Sequence, residues 1–235
     1  PMPKVVLVYL TGTPRQGVGP HDVAIALVKA TFESGFVNNC VLEFAGPGIK
    51  SLPIDFRNGI DVMTTETTCL SSIWVTDEKV EEYYRMHERP EAYKELQPGE
   101  IAYYDAMIRI DLSKQESMIA LPFHPSNAYT IHEFQADPEG ILKKVEEDAK
   151  KRFGDKITID LESKVKDGKA FADQAIIAGC SGGTYDNLSE AAAIMKGKTI
   201  GNDYFTMSAY PQSTPVYLAT TRNHIAEELL EAGVV

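Results

Sequence analysis

The sequence predicts an α/β fold in which largely parallel sheets are flanked by helices. Short apolar runs alternate along the chain with helical patterns of about 10 to 18 residues, an order typical of parallel β-α-β units. Glycine and proline residues separate these segments. The 235 residues, 43% of them hydrophobic, are enough for one large domain or two small ones.

The first half of the chain begins with a predicted strand at residues 5–10, a continuous apolar run. Residues at helical spacing follow the Gly19-Pro20 pair and predict a helix that reaches Thr31, and residues 37–44 predict the next strand. Helical spacing predicts a second helix from residue 60 to residue 70 or 71, although its many threonines are poor helix formers. A charged helix at 77–89, an irregular segment at 90–100 and a strand at 106–110 complete this half.

The second half begins after residues 121–127, where two prolines bracket a phenylalanine and a histidine, a pattern typical of loops. We therefore expect one domain at 1–125 and another at 126–235. The predicted elements of the second are a charged helix at 141–153, a buried strand at 175–178, a helix at 187–196, a strand at 204–208 and a helix at 215–232 that ends at Gly233.

Charge and composition exclude several classes of function. The net charge of −11 disfavours a nucleic-acid partner, because phosphate contacts need clustered Lys and Arg. No apolar stretch approaches the roughly 20 residues that span a membrane, so we expect no membrane partner. Three scattered cysteines make a disulfide framework improbable, and we expect a reducing cytoplasmic location.

Cys180 stands where the apolar run at 176–178 stops in a glycine-rich turn and a helical pattern begins at Asp186. A thiolate at the start of a helix is favoured by backbone N–H groups and the helix dipole, which suits it to ligation or attack. The alternative is a small core residue at the end of a strand. The local sequence leaves both interpretations open.

Glu66 is the single acid between Asp61 and Asp77 and lies among threonines. Such a carboxylate is either a hydrogen-bonded structural anchor or an acid tuned for handling protons and water. Taken alone, the local sequence favours the anchor. Cys69, three positions on, is expected to belong to the core.

Other candidate sites lack the spacing that their chemistry needs. The glycines near Cys180 form neither a dinucleotide nor a P-loop signature, and Ser181 lacks the elbow of a nucleophilic serine. His124, His132 and Glu133 do not show zinc-ligand spacing, so His124 is expected to be a loop histidine with hydrogen-bonded partners. His21 is expected to lie in the first turn of a helix.

Several short blocks, in order along the chain, resemble motifs of the aconitase family of 4Fe-4S hydro-lyases. The block MTTE at 63–66 is similar to the family's Met-Gly-Ala-Glu, and GCSGGTYDN at 179–187 is similar to its Ser-Cys-Thr-Asn-Ser-Ser-Tyr-Glu-Asp. The supporting blocks are GVGPHDV at 17–23, VLEFAGPG at 41–48, IDLS at 110–113 and PFHP at 122–125.

This resemblance implies a second domain and the beginning of a third domain of three-layer, aconitase-like architecture. It implies that Cys180 is one of three thiolate ligands of a 4Fe-4S cluster and that Glu66 contacts the water or substrate hydroxyl at the open iron. Ser181 and Gly182 are the implied substrate-binding residues. The implied partners are a small carboxylic-acid substrate and the family's remaining domains, which also bring a Cys-x-x-Cys with the other two ligands. By itself the chain is expected to be inactive and to hold no cluster.

Two departures from the family pattern favour an alternative function. Gly182 and Val62 stand where the family has asparagines. A relative that has lost the cluster and survives as a binding or scaffold module is therefore a second hypothesis. A third, an RNA-binding regulator, is disfavoured by the acidic charge.

Overall fold

The computed structural model describes residues 2–201 and 204–235, with the Asp155 side chain left out. Internal contacts divide the chain into two compact units, and the chain passes between them within residues 121–128. The first unit contains residues 1–120 and 124–128, and the second contains 121–123 and 129–235. The assignment of residues 1–125 and 126–235 to particular aconitase-like domains stays a prediction.

A parallel sheet forms the centre of the first unit. Its strands follow the order β3-β2-β1-β4, and each neighbouring pair is parallel. The strands of this unit are β1 (Val5–Thr11), β2 (Val41–Ala45), β3 (Ser71–Trp74), β4 (Ala106–Asp111) and β5 (Met118–Ala120), and its helices are α1 (Pro20–Thr31), α2 (Ile54–Asp61) and α3 (Glu78–Met86).

The alternation of buried and half-buried residues along the strands forms the core of this unit. Alternate residues of β1 and β2 are fully buried and pack with residues of α1 and α2, while the residues between them are half-buried. The turn after β2 lies against the end of β1 at Gly46, where a Cβ would come within 2.5 Å of the Leu10 carbonyl oxygen. Only glycine fits that approach, and its φ of 109° also favours glycine.

Two predictions for the first unit are wrong in detail. The strand predicted at 37–44 begins at Val41, because residues 37–39 form a turn that nevertheless buries Val37 in the core. The helix predicted from residue 60 to 70 or 71 is three elements: the end of α2, a 3-10 turn at Thr64–Thr67 and the start of β3. The chain reverses at Thr68, whose φ of 62° is left-handed and ends any helix.

The second unit has a parallel pair of strands, β9 and β10, whose inner side packs with α7, α8 and α9 in one apolar cluster. The strands after β5 are β6 (Ala128–Thr130), β7 (Val165–Lys166), β8 (Lys169–Ala170), β9 (Gln174–Ile177) and β10 (Thr206–Ala209). The helices are α4 (Ile131–Ala136), α5 (Pro138–Phe153), α6 (Gly179–Gly182), α7 (Tyr185–Met195), α8 (Thr214–Arg222) and α9 (Ile225–Glu231).

The sequence predictions for this unit need two corrections. The strand predicted as buried at 175–178 is largely open on one side, with Ile176 57% exposed. The helix predicted at 215–232 is interrupted at His224, whose left-handed φ of 62° separates α8 from α9. The end of the helical segment before Gly233 is confirmed.

The predicted fold class is confirmed as mixed α/β, with a parallel sheet flanked by helices. Within the described part of the chain, no helix combines the length and apolar character that a bilayer crossing requires.

Candidate active-site residues

Glu66 lies in the 3-10 turn Thr64–Thr67, and its side chain is 46% exposed. The neighbouring threonine hydroxyls do not bond to it, because they donate to backbone carbonyl oxygens: Thr64 to Asp61 at 2.8 Å and Thr67 to Thr64 at 2.6 Å. The threonine hydroxyls that the sequence places around Glu66 therefore do not anchor it. The turn is held by its own hydroxyls, and the Glu66 carboxylate faces outward.

Asp61 attaches this turn to the edge of the sheet. One of its carboxylate oxygens accepts hydrogen bonds from the Ser72 hydroxyl at 2.5 Å and the Trp74 indole N–H at 2.9 Å. Cys69 packs against the apolar core, as predicted, and its Sγ lies 3.3 Å from the Thr64 carbonyl oxygen. Glu66 is thus an exposed acid on a rigidly attached support.

His124 lies beside Glu66, with 3.9 Å between His124 Nε2 and Glu66 Oε2. Its other ring nitrogen, Nδ1, lies 3.0 Å from the Ser126 hydroxyl and accepts the Ser126 backbone N–H at 3.2 Å. The expectation of a loop histidine with hydrogen-bonded partners is confirmed. Its proximity to Glu66 was not predicted, because the two residues are far apart in the sequence and no spacing rule joins them.

Cys180 is the second residue of the four-residue helix α6, directly after β9, and it is exposed. The alternative of a small core residue is wrong. The argument from the helix dipole also needs correction. The Thr184 hydroxyl caps the start of α7 by accepting the Asn187 N–H at 3.4 Å, so Thr184 rather than Cys180 occupies that position. The accessibility of the thiol, rather than the start of α7, makes it available as a ligand.

The residues after Cys180 fix the path of this turn. Ser181 is buried, and its carbonyl oxygen accepts the Asn187 side-chain N–H at 2.8 Å. Gly183 contacts the segment that follows β10. Its carbonyl oxygen accepts the Gln212 N–H. A Cβ added to Gly183 would lie 2.3 Å from the Tyr210 carbonyl oxygen. By contrast, a Cβ on Gly182 would meet nothing within 4 Å.

Val235 pairs with β10 as a parallel strand does. Its N–H donates to the Met207 carbonyl oxygen at 3.0 Å, and its carbonyl oxygen accepts the Ala209 N–H at 2.8 Å. The register places Val235 level with Ser208, which is level with Ile176 in β9. A segment that continued from Val235 along β10 would run towards the edge of the sheet where Cys180 lies.

His21 and His132, the other two histidines that the sequence singled out, lie in the first turns of α1 and α4. His21 lies in the first turn of α1, as predicted, where burial lowers its pKa although the Asp22 charge opposes this. Asp22 accepts the Gly19 N–H at 2.7 Å. Glu133 belongs to the capping box at the start of α4, which leaves it no role in a metal site with His132.

The described cysteines do not come together as a metal site. Among the described residues, no group of three or more His, Cys, Asp and Glu side chains could hold a metal ion. Cys40 is buried and Cys69 half-buried, and neither joins Cys180 in such a group. The exposed Cys180 thiol is accessible to a metal or cluster, but the described residues supply it with no further ligands.

Comparison with known proteins identifies a family and a set of similar proteins. The family model described as the aconitase family (aconitate hydratase) matches residues 1–235. Relatives named 3-isopropylmalate dehydratase large subunit are 26% identical in Clostridium kluyveri, 27% in Picrophilus torridus and 28% in Caldicellulosiruptor saccharolyticus. The alignments cover 99 to 100% of this chain but 46 to 47% of those proteins, so the chain spans about half the length of the curated relatives it matches.

Proposed function

Because the chain belongs to the aconitase family, we propose that the protein containing it is a hydro-lyase that removes water from a small polycarboxylate or hydroxy acid, or adds water to the corresponding unsaturated acid. Exposed Cys180 carries the proposal, since it offers an accessible thiol within the block at 179–187 that resembles the family's cluster-ligand motif. The relatives named as dehydratases support the reaction type.

Cys180 and Glu66 have separate roles in this proposal. Cys180 would hold one corner of a 4Fe-4S cluster, with two further thiolates from outside this chain. When bound, a cluster with one iron free of protein ligands supplies a Lewis acid for the substrate oxygens. The half-exposed Glu66 carboxylate would accept a hydrogen bond from the substrate hydroxyl or the water and handle its proton.

Substrate contacts near Cys180 are proposed for Ser181 and Gly182. Ser181 is buried, so its contribution is to hold the turn and present backbone groups. Gly182 has open space beside its Cα, which suits the close approach of a carboxylate to the backbone.

The experiment uses the full-length protein, purified without oxygen and assayed for water elimination from malate-like and citrate-like acids and for water addition to the corresponding unsaturated acids. We expect Cys180→Ser to lose both cluster absorption and activity. Glu66→Gln should keep the cluster and lose activity by about 10²- to 10⁴-fold. Cys69→Ser, in a half-buried thiol outside any ligand group, is the matched control and should keep both.

The second candidate is a module without a cluster, which Gly182 and Val62 favour because they replace family asparagines. Binding of an acid by the unaltered full-length protein, with neither cluster absorption nor hydro-lyase activity, would support this candidate and reject the hydro-lyase. Full activity in the Cys180→Ser protein would instead reject Cys180 as a cluster ligand.

A further inference from the structure

Among the side chains that the structure describes, one lies close enough to the Glu66 carboxylate to form an ion pair with it. That side chain is His124, with Nε2 3.9 Å from Glu66 Oε2. This separation exceeds a direct hydrogen bond. Because Glu66 is 46% exposed, a small side-chain rotation can shorten it.

The proton on the neutral His124 ring can be assigned from its surroundings. A backbone N–H can only donate, so Nδ1, 3.2 Å from the Ser126 nitrogen, acts as an acceptor and carries no proton in that arrangement. The ring proton of the neutral form is then on Nε2, the nitrogen that faces Glu66.

The orientation of the ring is also restricted. The imidazole stacks on Phe32, with 3.7 Å between ring centroids and 22° between planes. Its side chain is only 25% exposed, and the Ser126 hydroxyl lies 3.0 Å from Nδ1. Contacts to a ring face and to Nδ1 leave Nε2 directed at the carboxylate.

We infer that His124 is a positioning residue that holds Glu66 by donating its Nε2 proton to Oε2, leaving Oε1 for the water or hydroxyl that Glu66 handles. This inference rests on the proposed function only for what Glu66 then does. The pairing itself is a property of this chain and can be tested without any catalysis.

The first test is nitrogen NMR of the 235-residue chain labelled in its histidines. With its ring in the neutral form, we expect His124 to show an unprotonated Nδ1 and a protonated Nε2. In Glu66→Ala the Nε2 resonance should shift and its proton should exchange with water faster, while the other four histidines stay unchanged. Glu33→Ala, which removes an exposed carboxylate next to Phe32, is the control and should leave His124 unaltered. A proton on Nδ1, or an Nε2 signal insensitive to Glu66→Ala, would overturn the inference.

The second test separates positioning from folding in the full-length protein. His124→Phe keeps an aromatic ring for stacking on Phe32 but lacks the N–H donor, and His124→Gln restores a donor. We expect kcat to fall in His124→Phe with KM nearly unchanged, and to recover in part in His124→Gln. Equal loss in both variants would reject the positioning role. A confirmed NMR pairing in a protein without hydro-lyase activity would instead reject the proposed function alone.

Discussion

Two adjacent glycines near Cys180 have different reasons to be glycine. A Cβ on Gly183 would collide with the Tyr210 carbonyl oxygen at 2.3 Å and the Gln212 nitrogen at 2.8 Å, both backbone atoms that cannot move alone. A Cβ on Gly182 would meet nothing. The residue that replaces a family asparagine is therefore not required by packing, whereas Gly183 holds the turn in place.

Gly183→Ala is expected to lower the free energy of unfolding of the second unit by about 1 to 3 kcal/mol, because the methyl group forces backbone apart. Gly182→Ala is the matched control and should be within about 0.5 kcal/mol of the wild type. Urea unfolding followed by circular dichroism measures both. Similar losses in the two variants would contradict the close contact at Gly183.

Arg57 and Asp77 form a buried ion pair that the sequence pattern did not predict. The guanidinium is bidentate on Asp77, with separations of 2.9 and 2.5 Å, and also donates to the Ile49 and Leu52 carbonyl oxygens. Burial by itself would raise the pKa of Asp77, but the hydrogen bonds and charge of Arg57 and the backbone N–H groups of the α3 cap together lower it.

Asp77→Asn is expected to lower the stability of the first unit by about 3 kcal/mol at neutral pH, since it leaves Arg57 buried without its charge partner. A lowered folded pKa means that the carboxylate stabilises the fold fully above its unfolded value of 3.8 and loses this contribution as pH falls through the folded pKa. The difference between wild type and variant should therefore shrink below about pH 4. Glu81→Gln, in an exposed pair on α3, should cost under about 1 kcal/mol at any pH.

At the scale of elements, the strands and helices with a single clear pattern were predicted and the transitions between elements were not. The run at 5–10 and the strand at 106–110 match β1 and β4 closely, since each has one uninterrupted pattern. The stretch from Ile60 onward failed because threonine hydroxyls that bond to nearby carbonyl oxygens allow a 3-10 turn to replace a helix. The short strand β3, which follows that turn, was therefore not predicted.

The candidate site also has some features that the sequence predicts and others that it does not. Glu66 and Cys180 could be singled out as candidates because local composition or a family motif marks each of them. The approach of His124 to Glu66 was not found, because it depends on where the 121–128 segment returns to the first unit. Contacts between residues far apart in the chain produce no repeating sequence pattern from which they could be predicted.

Thr68 offers a test of why the predicted helix ends. It is a β-branched residue at φ 62°, a conformation that is costly for such side chains. We expect Thr68→Gly to raise the stability of the first unit by about 1 kcal/mol through relief of this strain. Thr65→Gly, at an exposed position of the same turn, should lower the stability of the first unit by a similar amount. The variant loses the hydrogen bond from the Thr65 hydroxyl to the Val62 carbonyl oxygen, and glycine raises the conformational entropy of the unfolded chain. Thermal unfolding compares the two, and a loss in both would contradict strain at Thr68.

At the scale of the whole molecule, the chain carries an incomplete set of the residues that the proposed reaction needs. Glu66 belongs to the first unit and Cys180 to the second, and the described residues hold no group of ligands sufficient for a metal. The chain also spans only about half the length of its dehydratase relatives. Activity is therefore expected of the full-length protein rather than of these 235 residues.

Anaerobic reconstitution with iron and sulfide tests this expectation directly. We expect the 235-residue chain to give no stable 4Fe-4S absorption, because one exposed thiolate cannot hold four irons. The full-length protein is the matched comparison and should take up the cluster, and its Cys180→Ser variant should not. Stoichiometric cluster uptake by the 235-residue chain would show that its own cysteines suffice and would overturn the assignment of two ligands to outside it.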